Sequence, residues 1–322
     1  MGAPQDRIHA DRIHSEIETG GAARSALVAS WRRSARLYGL DPAETGSVQT
    51  LSDHELRTAR QRMERVVSIA QASMDRLYMA VGGVGCCVLL ADSEGVPVER
   101  RGAAGDDDTF YDWGLWTGAV WSEAVEGTNG IGTCIAEQRA LTIHRDQHFH
   151  TRNIGLSCTV APIHDHQGRL MAALDVSSCR SDLTEAFVQL ISVAVIDAAR
   201  RIEAENFRQA FPDARIVLAP SADRTGGPLI AVDKDDLVIG ATRAARLSLD
   251  LTDEALLTAL PAADLLGWNA DPREDMAESE RGVILRAIAR VDGNVSSAAK
   301  LLGISRATLH RKLNRLKIIR PN

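Results

Sequence analysis

The spacing of apolar residues divides the chain into helical stretches on either side of a region with the shorter period of strands. After Leu51-Ser52-Asp53, apolar residues recur every three or four positions for about seven turns, which predicts a long amphipathic helix. Its buried stripe is predicted to contain Leu56, Ala59, Met63, Val66, Val67, Ala70, Met74 and Leu77. A shorter amphipathic helix is predicted from Ala22 to Leu40. Residues 1–20 carry mixed charge with little periodicity, so we expect a flexible lead.

Two hairpins are predicted where the period shortens. The first has strands near residues 84–90 and 96–101, and the second has strands near 157–164 and 169–177. A loop-rich stretch, a short helix and a single strand at 140–143 separate them. A final long helix is predicted from about Asp182 to Phe211. Its buried side is predicted to be Phe187, Leu190, Ile191, Ala194, Val195, Ala198 and Ile202.

This order of elements predicts an α+β fold, in which an antiparallel sheet has long helices on one face and a pocket on the other. The stretch that follows, residues 212–227, contains two prolines, two glycines and one serine, so we expect a loop-like linker. Residues 228–251 then predict two short strands and a helix. That segment resembles the opening of a PAS domain but is too short for a complete one.

Three closely spaced apolar segments end the chain, from about Met276 to Ile318. The first predicts a helix with a stripe of Val283, Ile284, Ala287, Ile288 and Val291. The second is a short helix rich in small residues, and Gly303 supplies the turn after it. Ser305 is a suitable N-cap for the third helix, in which Leu309, Leu313 and Leu316 form the buried stripe. This pattern is typical of a helix-turn-helix whose third segment is the recognition helix.

Charge supports a nucleic-acid interface at this end of the chain. Residues 280–322 contain ten Lys or Arg and two acidic residues, a net charge of +8, whereas the whole chain carries −6 and the remainder therefore −14. A basic module on an acidic body is what phosphate binding requires. The alternative is a solvated helical hairpin that is basic by chance.

The segment NVSSAAKLLGISRATLHRKLNRL resembles the Fis-type helix-turn-helix that ends many bacterial enhancer-binding activators. The resemblance implies that Arg306 reads a base and that Thr308 and Arg311 contact the DNA backbone. His310 stands where the family often has a basic residue. The full set of expected DNA-binding residues is Lys300, Ser305, Arg306, Thr308, His310, Arg311, Lys312, Asn314 and Arg315.

The preceding region resembles a GAF domain. The stretches EGTNGIGTCIAEQRALTIHRDQHF and APIHDHQGRLMAALDVSS, with the helix SWRRSARLYGL before them, are similar to the sensor of the acetoin-catabolism regulator family. The expected domains are an N-terminal lead and helix (1–50), a GAF sensor (51–211), a linker with a PAS-like remnant (212–272) and a Fis-type helix-turn-helix (273–322). The resemblance implies a ligand-responsive transcriptional regulator.

The composition fits an intracellular globular protein. Its hydrophobic content of 45% is sufficient for real cores, and neither a membrane span nor a signal peptide is apparent. The five cysteines are odd in number and lack CxxC spacing, which favours a reducing compartment and disfavours structural zinc. We therefore expect a cytoplasmic protein.

The sensor is expected to bind a small molecule of the size of acetoin, an alcohol or an aldehyde, and no cofactor. Aromatic residues crowd the loop before the GTNGIGT stretch, whose helix start offers backbone N–H groups to an oxygen atom. No Lys or Arg lies between Trp113 and Glu137, which disfavours a cyclic nucleotide. The expected ligand-binding residues are Trp113, Trp116, Trp121, Asn129, Thr133, Cys134, Phe149 and Cys158. Alternatively, these residues only fold the loop.

Two chemical alternatives remain at this stage. Cys134, Cys158 and one of the adjacent Cys86 and Cys87 could face a pocket, as in GAF-domain enzymes that reduce free methionine sulfoxide. The histidines of HRDQHFH could bind a metal, although the resemblance implies none. We expect neither catalysis nor a metal.

The chain contains no Gly-Lys dipeptide and therefore no G-x-x-x-x-G-K-[ST] loop, so we expect no ATPase activity. The expected partners are double-stranded promoter DNA, a small-molecule effector, a second copy of the chain, and RNA polymerase or another regulator, with no membrane. The two long helices are the expected dimer contacts, unless they only cover the sheet.

Overall fold

The structure, a computed structural model, describes the following parts of the chain: residues 4–19, 25–220, 227–257, 260–267, 272–291 and 293–318. They form two compact units, which divide in the sequence between residues 259 and 260. Each unit has a hydrophobic core of its own. Within the described ranges, no helix combines the length and the apolar character that crossing a membrane requires.

The first unit begins with two helices and a π-helical turn: α1 Pro4–Glu18, α2 Ala26–Arg32 and the turn Arg33–Leu37. The prediction of a flexible lead is wrong. Ala10, Ile13 and Ile17 lie three and four positions apart, so they form one narrow apolar face, which the charged residues between them conceal in the sequence. Ile13 and Ile17 are buried against Trp31 and Phe149.

The predicted long helix is α3, Asp53–Val81. Ser52 caps it: the Ser52 hydroxyl accepts a hydrogen bond from the Glu55 backbone, and the Glu55 carboxylate accepts one from the Ser52 backbone. The predicted stripe is confirmed, since its buried members are Ala59, Met63, Val66, Ala70, Met74 and Leu77.

Both predicted hairpins are present in a five-stranded antiparallel sheet with the order β2-β1-β5-β4-β3. The strands are β1 Cys87–Asp92, β2 Pro97–Arg101, β3 Leu141–His144, β4 Ser157–His164 and β5 Leu170–Ser178. The first strand starts three residues later than predicted, because Gly82–Val84 forms a short 3-10 turn that ends at Gly85 with a φ of +73°. β5 is the central strand.

Four further helices accompany the sheet: α4 Asp107–Asp112, α5 Glu123–Glu126, α6 Gly130–Glu137 and α7 Glu185–Ala210. α7 starts at the cap residue Thr184, close to the predicted position. Its buried face is rotated from the predicted one, since Val188 is buried and Leu190 is 66% exposed. The other predicted residues are confirmed: Ile191, Val195, Ala198 and Ile202 are buried in the core, and Phe187 and Ala194 pack against it.

The two faces of the sheet carry different cores. On one face, α3 and α7 pack against every second residue of the strands, such as Leu90, Leu174 and Val176. On the other face, called the inner face below, Leu89 and Val160 pack with residues of α6 and of the loop that contains Trp113 and Trp121. Alternation along each strand sends neighbouring side chains to opposite cores.

A small three-stranded sheet follows α7: β6 Arg215–Leu218, β7 Leu229–Val232 and β8 Val238–Ala241, then the helices α8 Arg243–Ser248 and α9 Asp253–Leu257. The two strands and helix predicted after residue 228 are confirmed. The prediction of a loop-like linker before them is wrong at β6, where a short apolar run pairs with β7. Phe207 of α7 packs against Leu229 and Ala231, so this sheet belongs to the first unit.

The second unit is helical: α10 Ala262–Leu265, α11 Pro272–Ala289, α12 Val295–Leu301 and α13 Arg306–Arg315. Its core joins Ile284 and Ile288 of α11 to Ala298 of α12 and to Leu309 and Leu313 of α13. The predicted turn and cap are confirmed: Gly303 has a φ of +66°, and the Ser305 hydroxyl accepts a hydrogen bond from the Thr308 backbone at 3.1 Å. Val283, predicted in the stripe, is 46% exposed.

Candidate functional site

The recognition helix α13 presents polar side chains on the face opposite its buried leucines. Arg306, Arg311 and Asn314 are exposed, and Thr308 and His310 are half-buried. Neither Arg306 nor Arg311 forms an ion pair among the residues that the structure describes. Two exposed guanidinium groups on one helix suit both phosphate oxygens and guanine edges.

Two of the expected DNA-binding residues form ion pairs within the second unit. Lys312 and Arg315 both form ion pairs with Glu280 of α11. The hydrogen bond from Lys312 and the positive charge of Arg315 lower the pKa of Glu280. The sequence contains no local signal for these contacts, because the partners are more than thirty residues apart. Arg306 and Arg311 remain the stronger candidates for DNA contact.

The predicted ligand-binding residues lie in three different places in the sensor. Trp113, Trp121, Cys134 and Cys158 belong to the core above the inner face. Trp116 instead stacks on Arg100, whose Cζ lies 4.2 Å from the centre of the Trp116 ring. The remaining three, Phe149, Asn129 and Thr133, pack with the N-terminal helices or take part in hydrogen bonds around the start of α6.

Asn129 has a structural task that the sequence did not reveal. Its side-chain oxygen caps α6 by accepting from the Gly132 backbone at 2.8 Å. Its side-chain nitrogen donates to the carbonyl oxygens of Trp121 and Gly127, at 3.0 and 2.9 Å. One of the helix-start N–H groups expected to face a ligand is therefore already occupied, and Asn129 fixes the turn before α6.

A buried hydrogen-bond network joins α2 to α6 through Glu123. Arg33 donates to both carboxylate oxygens of Glu123, at 2.9 and 3.0 Å, and to Glu137 at 3.2 Å. Thr133 donates to Glu123 at 3.1 Å, and the Ser30 hydroxyl also contacts that carboxylate. The hydrogen bond to Glu123 raises the pKa of Arg33 despite its partial burial. The SWRRSAR segment therefore attaches the N-terminal helices to the start of α6.

The histidines of HRDQHFH do not converge on one point. His148 is fully buried, and its Nε2 lies 3.5 Å from Cys158 Sγ. Burial lowers the pKa of His148 and of His150 to about 4, so both rings are neutral at pH 7. His144 contacts Ser157 at 2.9 Å instead. Among the described residues, no group of three or more His, Cys, Asp or Glu is arranged to hold a metal ion.

The buried cysteines are poor candidates for thiolate chemistry. Burial raises the pKa of Cys86 to about 11 and raises the pKa of Cys87, Cys134 and Cys158 further above the ordinary range. A catalytic thiol requires the opposite shift, since the thiolate is the nucleophile. The methionine sulfoxide reductase alternative is therefore not favoured.

Asp175, which the sequence analysis did not single out, lies at the centre of the inner face. It is on β5, paired in register with Leu89 of β1 and Val160 of β4, and it is 0% exposed. Oδ2 accepts a hydrogen bond from the Ser177 hydroxyl at 2.6 Å, and Oδ1 has no partner among the described residues. Desolvation raises the pKa of Asp175 to about 7.

The first turn of α6 lies directly over Asp175. A Cβ added to Gly130 would lie 2.5 Å from the Cys158 Cβ and 3.6 Å from Asp175 Oδ1, so glycine is required for this close approach. The inner face thus combines a carboxyl group, thiol side chains and a tightly packed helix start.

Two parts of the chain match known protein families. Residues 65–202 match the GAF domain family, and residues 275–316 match the bacterial regulatory protein, Fis family. The acetoin catabolism regulatory protein of Cupriavidus necator is 36% identical over 242 residues, which cover 74% of this chain and 36% of that protein. The chain is an acetoin-regulator-like protein.

Other similar proteins also match only part of their length or only in fold. The acetoin dehydrogenase operon transcriptional activator AcoR of Bacillus subtilis is 25% identical to this chain. The match covers 58% of this chain and 30% of AcoR. The chain spans about a third of the length of these relatives. The crystal structure of the E. coli DhaR(N)-DhaL complex shares the fold, with a TM-score of 0.52 at 16% identity, covering 71% of this chain and 78% of that one.

Proposed function

We propose that this protein is a ligand-responsive, non-enzymatic transcriptional regulator, in which the GAF domain binds a small effector and the Fis-type helix-turn-helix binds promoter DNA. The observation that carries the proposal is the exposed pair Arg306 and Arg311 on the recognition helix, in a chain that also contains a GAF domain. Arg306 reads a base, and Arg311 and Lys300 contact phosphates. Ser305, Thr308, His310 and Asn314 complete the proposed interface.

The test compares DNA affinities of Arg306→Ala and Arg311→Ala on a duplex selected from a random pool and on unselected duplex. We expect Arg306→Ala to lose about 1–3 kcal/mol of discrimination between the two. Arg311→Ala should weaken both equally and lower the salt dependence by about one counterion. Arg57→Ala, an exposed arginine of the first unit, is the control. Equal losses on both duplexes for both variants would contradict the assignment.

The effector is a small oxygenated organic molecule that binds above the inner face of the sheet. Two relatives are named for acetoin catabolism or an acetoin dehydrogenase operon, and acetoin is uncharged and carries two oxygen atoms. Trp113, Trp121, Cys134 and Cys158 supply the mostly apolar wall. Isothermal titration calorimetry with acetoin and with a cyclic nucleotide tests this. Tight binding of the cyclic nucleotide would contradict it.

The protein acts as a homodimer through the exposed face of α7. Leu190 and Val193 are 66% and 69% exposed on that face, which is unusual for neighbouring apolar side chains on one helix. Leu190→Glu should convert a dimer to a monomer in light scattering, whereas the neighbouring exposed Gln189→Glu should not. A wild-type monomer at micromolar concentration would contradict the proposal.

A further inference from the structure

Asp175 is a buried polar group whose free oxygen the fold does not explain. Buried polar atoms are nearly always hydrogen-bonded, because an unsatisfied one loses the free energy of its hydration. The Asp175 side chain forms no ion pair among the described residues, and its hydrogen bond joins it to Ser177, two positions along the same strand. That contact connects no separate elements, so the architecture of the sheet does not require a carboxyl group here.

The direction of the Ser177 hydrogen bond indicates what Oδ1 offers. With Oδ2 accepting from the Ser177 hydroxyl, Oδ1 is the oxygen left free to carry the proton of a neutral Asp175. Oδ1 is then a hydrogen-bond donor without an acceptor. Cys87, Cys134 and Cys158 surround it closely enough for its charge to raise their thiol pKa values, as a smaller effect than burial. These cysteine side chains are small and weakly polar.

We propose that Asp175 is the polar anchor of the effector site and that its Oδ1 donates a hydrogen bond to the carbonyl oxygen of a small uncharged ketone or aldehyde. This inference rests on the proposed sensor function and names the residue and the chemical group on which it depends. A bound carbonyl compound contacts the Gly130 end of α6, which is joined to Ser30 and Arg33 through Glu123.

Calorimetry with acetoin on the full chain tests the anchor. Asp175→Leu, which keeps the shape and removes the donor, should weaken acetoin binding about tenfold at pH 6.5, as expected for one lost hydrogen bond. Asp175→Asn retains a donor and should bind within about threefold of wild type. Asp92→Asn, at a buried carboxyl group of β1 that accepts hydrogen bonds from the Glu94 and Val96 backbone, is the control and should also remain within about threefold.

A pH series provides the readout that a structural role would not change. Wild-type affinity should fall about tenfold from pH 7 to pH 8.5 as Asp175 loses its proton, and Asp175→Asn should show no such fall. The facing groups do not titrate in this range, since Cys87, Cys134 and Cys158 stay protonated and His148 stays neutral.

Two failures are distinguishable. If wild type binds acetoin and Asp175→Leu binds it equally well, or if wild type and Asp175→Asn share one pH profile, the anchor is wrong and the sensor function stands. If wild type binds neither acetoin nor other small ketones and aldehydes, the proposed effector class is wrong and the anchor is wrong with it.

Discussion

Asp175→Asn should make the first unit more stable at neutral and alkaline pH. The pKa of Asp175 is about 7 in the folded chain and ordinarily 3.8. The difference is about three pH units at about 1.36 kcal/mol each, so the ionised side chain lowers the free energy of unfolding by about 4 kcal/mol. Asparagine has nearly the same shape and no charge, and it removes this destabilisation.

The sign of the pH dependence follows from the raised pKa. The unfolded chain releases the Asp175 proton above about pH 4, whereas the folded chain keeps it until about pH 7. Unfolding therefore releases a proton in this window, and wild-type stability falls relative to Asp175→Asn as pH rises from 4 to 7. Above pH 7 the difference should stay constant.

Urea unfolding of both proteins between pH 5 and 8 measures this difference. Tryptophan fluorescence is suitable because four of the five tryptophans, at positions 31, 113, 116 and 121, belong to the first unit. His148 and His150 titrate identically in both proteins, so the difference between them isolates Asp175. A difference that does not change with pH would refute the reasoning, because it would mean that Asp175 has an ordinary pKa.

Three further substitutions test other contacts. Gly130→Ala should destabilise the first unit by about 1–3 kcal/mol in urea unfolding, because its Cβ would overlap Cys158, whereas Gly83→Ala has open space and should be nearly neutral. Arg33→Ala should cost about 1.5–3 kcal/mol in the same assay, because it removes the hydrogen bonds of a cation to the buried Glu123 carboxylate, and the exposed Arg32→Ala should not. Glu280→Gln should release Lys312 and Arg315 for phosphate contacts. The slope of log K for DNA binding against log salt concentration should then steepen by up to about 1.8. The control Glu254→Gln should leave the slope unchanged, and an unchanged slope in Glu280→Gln would contradict this.

Local periodicity was sufficient to predict the elements that have a single clear apolar stripe. α3 and α13 follow their patterns closely because the cap, the stripe and the buried face all agree. α1 was missed because only a narrow face of Ala10, Ile13 and Ile17 is buried among charged residues. β6 was missed because an edge strand of four residues has no pattern until its partner is known.

The candidate sites were less predictable because they depend on contacts between distant residues. The sequence indicated which aromatic residues and cysteines enter the sensor core, but not that Trp116 stacks on Arg100 or that Asn129 is a cap. Asp175 appears in the sequence as an ordinary strand residue, and only the assembled sheet shows that Oδ1 is unpartnered. Likewise, the pairing of Glu280 with the recognition helix depends on the packing of α11 against α13.

The central claim, that effector binding in the GAF domain changes DNA binding by the helix-turn-helix, is tested most directly by measuring DNA affinity with and without an effector. Fluorescence anisotropy of the full chain on its selected duplex, at fixed salt, should show a change of about 5–150-fold on adding saturating acetoin, corresponding to a coupling of about 1–3 kcal/mol. An identical affinity with acetoin demonstrably bound would contradict the account.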